Sequence, residues 1–107
     1  MKHFAHRFSV PGNHPSLPGH FPGHPIVPGV LLLDHVLTAL QQATGRRVAR
    51  LLQVKFMSPL RPDEEADALF ELDGTRASFR VTAQRDGTDA MLASGVLSLQ
   101  SSGGPTP

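Results

Sequence analysis

The sequence predicts an α+β domain in which an antiparallel sheet wraps around one central buried helix, and three observations carry that expectation. One segment, about Val30 to Thr44, holds no Pro or Gly and is apolar nearly all round over its first ten residues, apart from Asp34, His35 and Thr38. A short period-two stretch precedes it and about four follow it. Asp-Gly pairs and prolines separate the later stretches, which is the punctuation of short strands joined by turns.

The first strand is expected over Phe4 to Val10, where Phe4, His6, Phe8 and Val10 alternate with Ala5, Arg7 and Ser9 before Pro11-Gly12 ends the run. From Asn13 to Gly29 the density of Pro and Gly forbids regular structure. The prolines restrict φ, so a stiff loop is expected. The helix follows Pro28-Gly29 and stops at Gly45, ahead of Arg46 and Arg47. Leu52, Val54 and Phe56 then alternate with Gln53, Lys55 and Met57 until Pro59 and Pro62 interrupt. Ala68, Phe70 and Leu72 form the next inward row, with a hairpin signal at Asp73-Gly74. Ala77, Phe79, Val81 and Ala83 form another, followed by a turn at Asp86-Gly87. Ala90 to Leu99 supplies the last strand, with a bulge expected at Gly95. Residues 1–100 read as a single domain and the tail 101–107, SSGGPTP, as disordered.

The chain has 107 residues and a formal net charge of +1. That size allows a modest core, which burial by a partner subunit would extend. The mixed charge argues against a nucleic-acid binder. With no cysteine there is no disulfide framework, thiolate zinc site or thiol nucleophile. The N-terminus lacks the continuous apolar core of a secretory signal, and the longest apolar run is too short to span a bilayer, so no membrane role and a cytoplasmic location are expected.

The most informative stretch is Gly19 to Asp34, GHFPGHPIVPGVLLLD. It sets His20 in the stiff loop and places one carboxylate, Asp34, in the apolar helix. A histidine that titrates near neutrality and an acid pushed by burial toward holding its proton are the ingredients of a general base and a general acid. Gly29 and Val30 open the helix, so their N–H groups have no partner within it and can anchor a carbonyl or an oxyanion. Plainer roles exist for each residue alone: His20 as a packed loop residue, Asp34 as the buried partner of His35 or an arginine, Gly29 as the start of a helix. All six histidines lie in the first third of the chain, yet none shows a metal-ligand spacing, and no metal is expected. His14 and His24 read as loop residues. Arg46, Arg47 and Arg50 read as a solvated helix end that could also meet an acidic carrier protein.

At GHFPGHPIVPGVLLLD the chain resembles the hotdog-fold 3-hydroxyacyl-acyl-carrier-protein dehydratases of bacterial fatty acid synthesis, the FabZ and FabA group. Their pattern runs GHFPxxPxxPGVLxxE, or ends in Asp in the dehydratase-isomerase branch. A second stretch, VKFMSPLRPDEEA from Val54 to Ala66, is similar to the family's post-helix strand and proline turn. The resemblance implies a hotdog fold and removal of water from a 3-hydroxyacyl thioester to give the trans-2-enoyl product. It implies His20 as the base for the α-proton, Asp34 as the acid at the departing β-hydroxyl, and the Gly29 N–H at the thioester carbonyl. It further implies a homodimer or larger hotdog oligomer with a site shared between protomers, and an acyl tunnel along their interface. No cofactor is needed beyond the phosphopantetheine that carries the substrate on acyl carrier protein.

Three departures stand out: Asp34 where Glu is usual, Thr38 in place of a glutamine one turn later, and Asp63 in place of the glycine after Pro62. With the short chain, they point toward an accessory dehydratase that resembles aryl-polyene or related pigment-pathway enzymes. Two alternatives share the fold: an acyl thioesterase, and a non-catalytic acyl-binding subunit of a hotdog heterodimer.

Overall fold

A computed structural model describes residues 1–12 and 26–101. The expected stiff loop falls mostly in 13–25 and the tail in 102–107, so both lie outside the described residues. Six elements follow in order: β1 (Lys2–Phe8), α1 (Gly29–Thr44), β2 (Val48–Phe56), β3 (Ala66–Asp73), β4 (Arg76–Arg85) and β5 (Thr88–Leu99). The strands form one antiparallel sheet in the order β1-β3-β4-β5-β2, with α1 packed against it.

The inward rows of β3 and β4 fall where the alternation put them, whereas Leu52 and Phe56 of β2 are exposed. Ala68, Phe70 and Leu72 of β3, Ala77, Phe79, Val81 and Ala83 of β4, and Leu97 and Leu99 of β5 are all buried. They meet Leu32, Val36, Ala39 and Leu40 of α1, and the larger of these side chains stabilise the fold by about 1.5–3 kcal/mol each. The hairpins close as the Asp-Gly pairs predict. Asp86 and Gly87 both take positive φ, 54° and 76°, between paired Arg85 and Thr88, as a type I′ turn requires. The other loop is Gly74-Thr75, between paired Asp73 and Arg76.

Pro28 begins α1 with φ −56° and ψ 141°, and its carbonyl accepts the N–H groups of Leu31 and Leu32 at 3.0 and 3.2 Å. Gly45 ends it in the left-handed conformation, its N–H donating to the Gln41 carbonyl at 2.8 Å.

Four expectations need correction. The first strand spans Lys2–Phe8, not Phe4–Val10, because its pairing partner β3 runs out at Ala66, opposite Phe8. The bulges are not at Gly95. Their extra residues are Ala49 and Leu52 on β2 and Leu92 on β5, while Gly95 is paired with both Val54 and Phe79. Gly95 instead admits the Phe79 ring, since a Cβ there would lie 2.5 Å from Phe79 Cε1. Arg46 is not a solvated helix end: its guanidinium donates to the carbonyls of Gln100 and Gly74, both at 2.9 Å, and ties the helix exit to the sheet.

The fourth concerns the helix. It is buried on one side only, and Val30, Asp34, Thr38 and Gln42 form an exposed stripe at four-residue spacing. The sheet covers one face, so an apolar composition nearly all round does not make the helix buried all round.

Candidate functional site

The start of α1 is an open apolar corner. Val27 donates its N–H to the Leu60 carbonyl at 2.8 Å, which ties the approach to the helix to the β2–β3 connection. Beside it lies a cavity of about 530 Å³ lined by Ile26, Val27, Gly29, Leu32 and residues 56–60. Gly29 lets the Phe56 ring pack closely there: a Cβ would come within 3.0–3.3 Å of three atoms of that ring. Among the described residues, the N–H groups of Gly29 and Val30 have no acceptor, so Gly29 brings a free donor and the positive end of the helix dipole to the cavity, with the Val30 N–H next to it in the chain.

Asp34 lies one turn beyond Val30 on the exposed stripe, and Val30 itself is 76% exposed. This differs from the expectation of a buried acid, because among the described residues the sheet covers the opposite face of the helix and nothing covers this one. The plainer reading is also unmet: among the described residues Asp34 forms no ion pair. Its neighbour His35 turns toward β1 and stacks on Phe8, with ring centroids 5.1 Å apart. His20 lies outside the described residues, as do His14 and His24, so the pairing of His20 with Asp34 is not among the contacts given by the structure. Among the described residues no three His, Asp or Glu side chains gather as a metal site would need, and no helix is long and apolar enough to cross a membrane.

A larger hollow, about 800 Å³, spreads over all five strands, and its lining includes no helix residue and neither Gly29, Val30 nor Asp34. Of the candidate site residues, Gly29 lines the smaller cavity.

A family model described as ApeI-like, ApeI dehydratase, matches residues 1–96. The chain belongs to the ApeI-like dehydratase family. A related sequence is the 3-hydroxyacyl-acyl-carrier-protein dehydratase FabZ of Anaeromyxobacter sp. (strain Fw109-5), 45% identical over 73 residues, which are 67% of this chain and 39% of that protein. The ApeI-like chain thus matches about two-fifths of that relative's length. Among solved structures it superposes on the dehydratase heterocomplex ApeI:P of Xenorhabdus doucetiae with a TM-score of 0.74 and 24% identity, covering 91% of this chain and 86% of that one. It also superposes on an acyl-CoA hydrolase mutant of Staphylococcus aureus, TM-score 0.67 at 12% identity, covering 92% and 64%. At these identities the structures establish the fold, which is the hotdog fold expected from the resemblance.

Three features of this ApeI-like chain escaped the sequence reading. Phe56 was read only as part of an alternating strand, yet its ring forms the cavity wall facing Gly29. Asp63, noted as a departure from glycine, keeps the left-handed conformation with φ 64°. Asp is one of the few residues that tolerate it. Its carboxylate also accepts the Gly12 N–H at 3.0 Å while its own N–H donates to the Val10 carbonyl at 2.7 Å, so the substitution adds a tie to the end of β1. The third is an ion pair between Arg85 and Glu64, whose side chains are only 18% and 15% exposed.

Proposed function

We propose that this chain dehydrates 3-hydroxyacyl thioesters borne on acyl carrier protein to the trans-2-enoyl thioester. His20 takes the α-proton, the Gly29 and Val30 N–H groups hold the thioester carbonyl as negative charge develops on its oxygen, and Asp34 gives a proton to the β-hydroxyl, which leaves as water. The observation that carries the reading is the placement of the described end of GHFPGHPIVPGVLLLD, Ile26 to Asp34: Gly29 lines an apolar cavity, the Gly29 and Val30 N–H groups have no acceptor among the described residues, and the acid follows one turn further along the helix. The family match and the FabZ relative support the same chemistry. No metal or organic cofactor is required. The ApeI-like match favours an accessory role, in an aryl-polyene or related pathway, over housekeeping fatty acid synthesis.

The site is completed by a second hotdog subunit, identical or related. β2 is an edge strand, and Leu51, Leu52, Phe56 and Met57 on or beside it are 44–54% exposed. Phe56 touches the start of α1, so this apolar surface continues onto the stripe that holds Val30 and Asp34. A partner laid over it would bury Asp34, restoring the environment expected of a general acid. The similarity to a two-component dehydratase complex supports such an assembly.

The test is hydration of a trans-2-enoyl thioester, followed by loss of conjugated absorbance, with the chain alone and with a candidate hotdog partner. Turnover that disappears in His20→Ala supports the reading. No turnover in either assembly, or release of free thiol in place of hydration, overturns it.

A further inference from the structure

Both ends of the stretch 13–25, which holds His20, are fastened to the same short connection between β2 and β3. On one side Asp63 bonds Gly12 and Val10, as given above, and on the other the Leu60 carbonyl receives the Val27 N–H. The connection also supplies one wall of the cavity at the helix start, through Ser58, Pro59 and Leu60. Whatever fixes residues 57–65 therefore fixes the endpoints of the His20 segment and the shape of the cavity together.

That fastening comes from the far end of β4. Arg85 is its last residue, and its guanidinium makes a side-on pair with Glu64: Nε donates to Oε2 at 2.8 Å and Nη2 to Oε1 at 2.7 Å. Nη2 also donates to the Pro59 carbonyl at 2.7 Å, and Glu64 Oε1 accepts the Arg61 N–H at 3.1 Å. One guanidinium thus grips the connection at residues 59 and 64, on either side of Leu60 and Asp63. A planar fork can hold a carboxylate and a carbonyl at once, whereas an ammonium offers a point charge.

We propose that Arg85 is a positioning residue for the dehydration site, acting through Glu64 and the Pro59 carbonyl on the two anchor points at Asp63 and Leu60. The inference rests on the functional reading above for its catalytic consequence, but not for its structural one.

The experiment compares wild type with Arg85→Lys and the isosteric Glu64→Gln, by amide hydrogen exchange and by steady-state kinetics. Exchange at the amides of Gly12, Val27 and Asp63 is expected to rise by about tenfold in the variants, while the amide of Gly45 at the far end of α1 stays unchanged. kcat is expected to fall by about tenfold or more with KM altered by less than about threefold, the pattern of a misplaced reacting group in a folded protein. Uniform change across all amides, or unchanged exchange at the three anchors, overturns the proposal. So does wild-type kcat in variants whose anchor amides have loosened. Faster exchange confined to the anchors in a protein with no dehydratase turnover upholds the clamp and removes the functional reading, so the two failures are distinguishable. If Arg85→Lys does not fold, Glu64→Gln, which keeps the shape and one acceptor oxygen, carries the test.

Discussion

The ring of Phe56 rests on Gly29: a methyl group at position 29 would lie 3.0 Å from Cε1 and 3.1 Å from Cζ. This is closer than comfortable van der Waals contact, but the ring is half exposed and able to move. Gly29→Ala is therefore expected to fold, with the displaced ring encroaching on the cavity. KM for an enoyl thioester should rise about threefold to tenfold, and Phe56→Ala in the same chain should recover most of it. A double-mutant cycle measures the coupling.

Asp63 sits where glycine would be unstrained, and offsets that strain with the bond to Gly12. Asp63→Ala keeps the strain and loses the bond, so it should destabilise the protein by about 1–2 kcal/mol. Asp63→Gly loses the bond but removes the strain, and should cost less. Urea midpoints of the two variants check the order.

Gly95 and Phe79 leave no comparable room. A Cβ at 95 would lie 2.5 Å from the Phe79 ring and 2.7 Å from the Gln53 backbone carbonyl, which cannot move away without disturbing the β2–β5 ladder. Gly95→Ala should cost about 2–3 kcal/mol and lower Tm by about 10 °C or more.

Glu64 is held below the ordinary carboxylate range, first by the Arg85 hydrogen bonds and against the opposing effect of its burial. Its folded value is lowered, so the unfolded chain takes up its proton first as pH falls. The stability this pair contributes is present above about pH 4.5 and is lost as pH drops through the folded value. Unfolding midpoints of wild type and Glu64→Gln should accordingly differ most at neutral pH and converge as pH falls through the lowered folded value of Glu64. A gap that does not narrow would contradict the assignment.

Much of the fold was legible because local chemistry and tertiary structure agree. Pro28 and Gly45 bracket the helix, Asp86-Gly87 supplies the two positive φ values of its turn, and the inward rows of β3 and β4 follow strict alternation. The rest depended on strand order and on distant partners. Asp34 looks buried in a list of leucines, and only the side the sheet takes leaves Val30, Asp34 and Thr38 outside. Phe56 alternates like a core residue, but β2 lies at an edge. The Arg85–Glu64 pair joins residues 21 apart, with no periodicity to announce it.

The central claim is tested most directly by mass spectrometry of a 3-hydroxyacyl chain loaded on acyl carrier protein and incubated with the purified chain, alone and with a candidate hotdog partner subunit. The account predicts loss of one water from the carrier-bound chain, and no such loss with His20→Ala or Asp34→Ala. Appearance of the unloaded carrier, or an unchanged carrier with wild type, would contradict it.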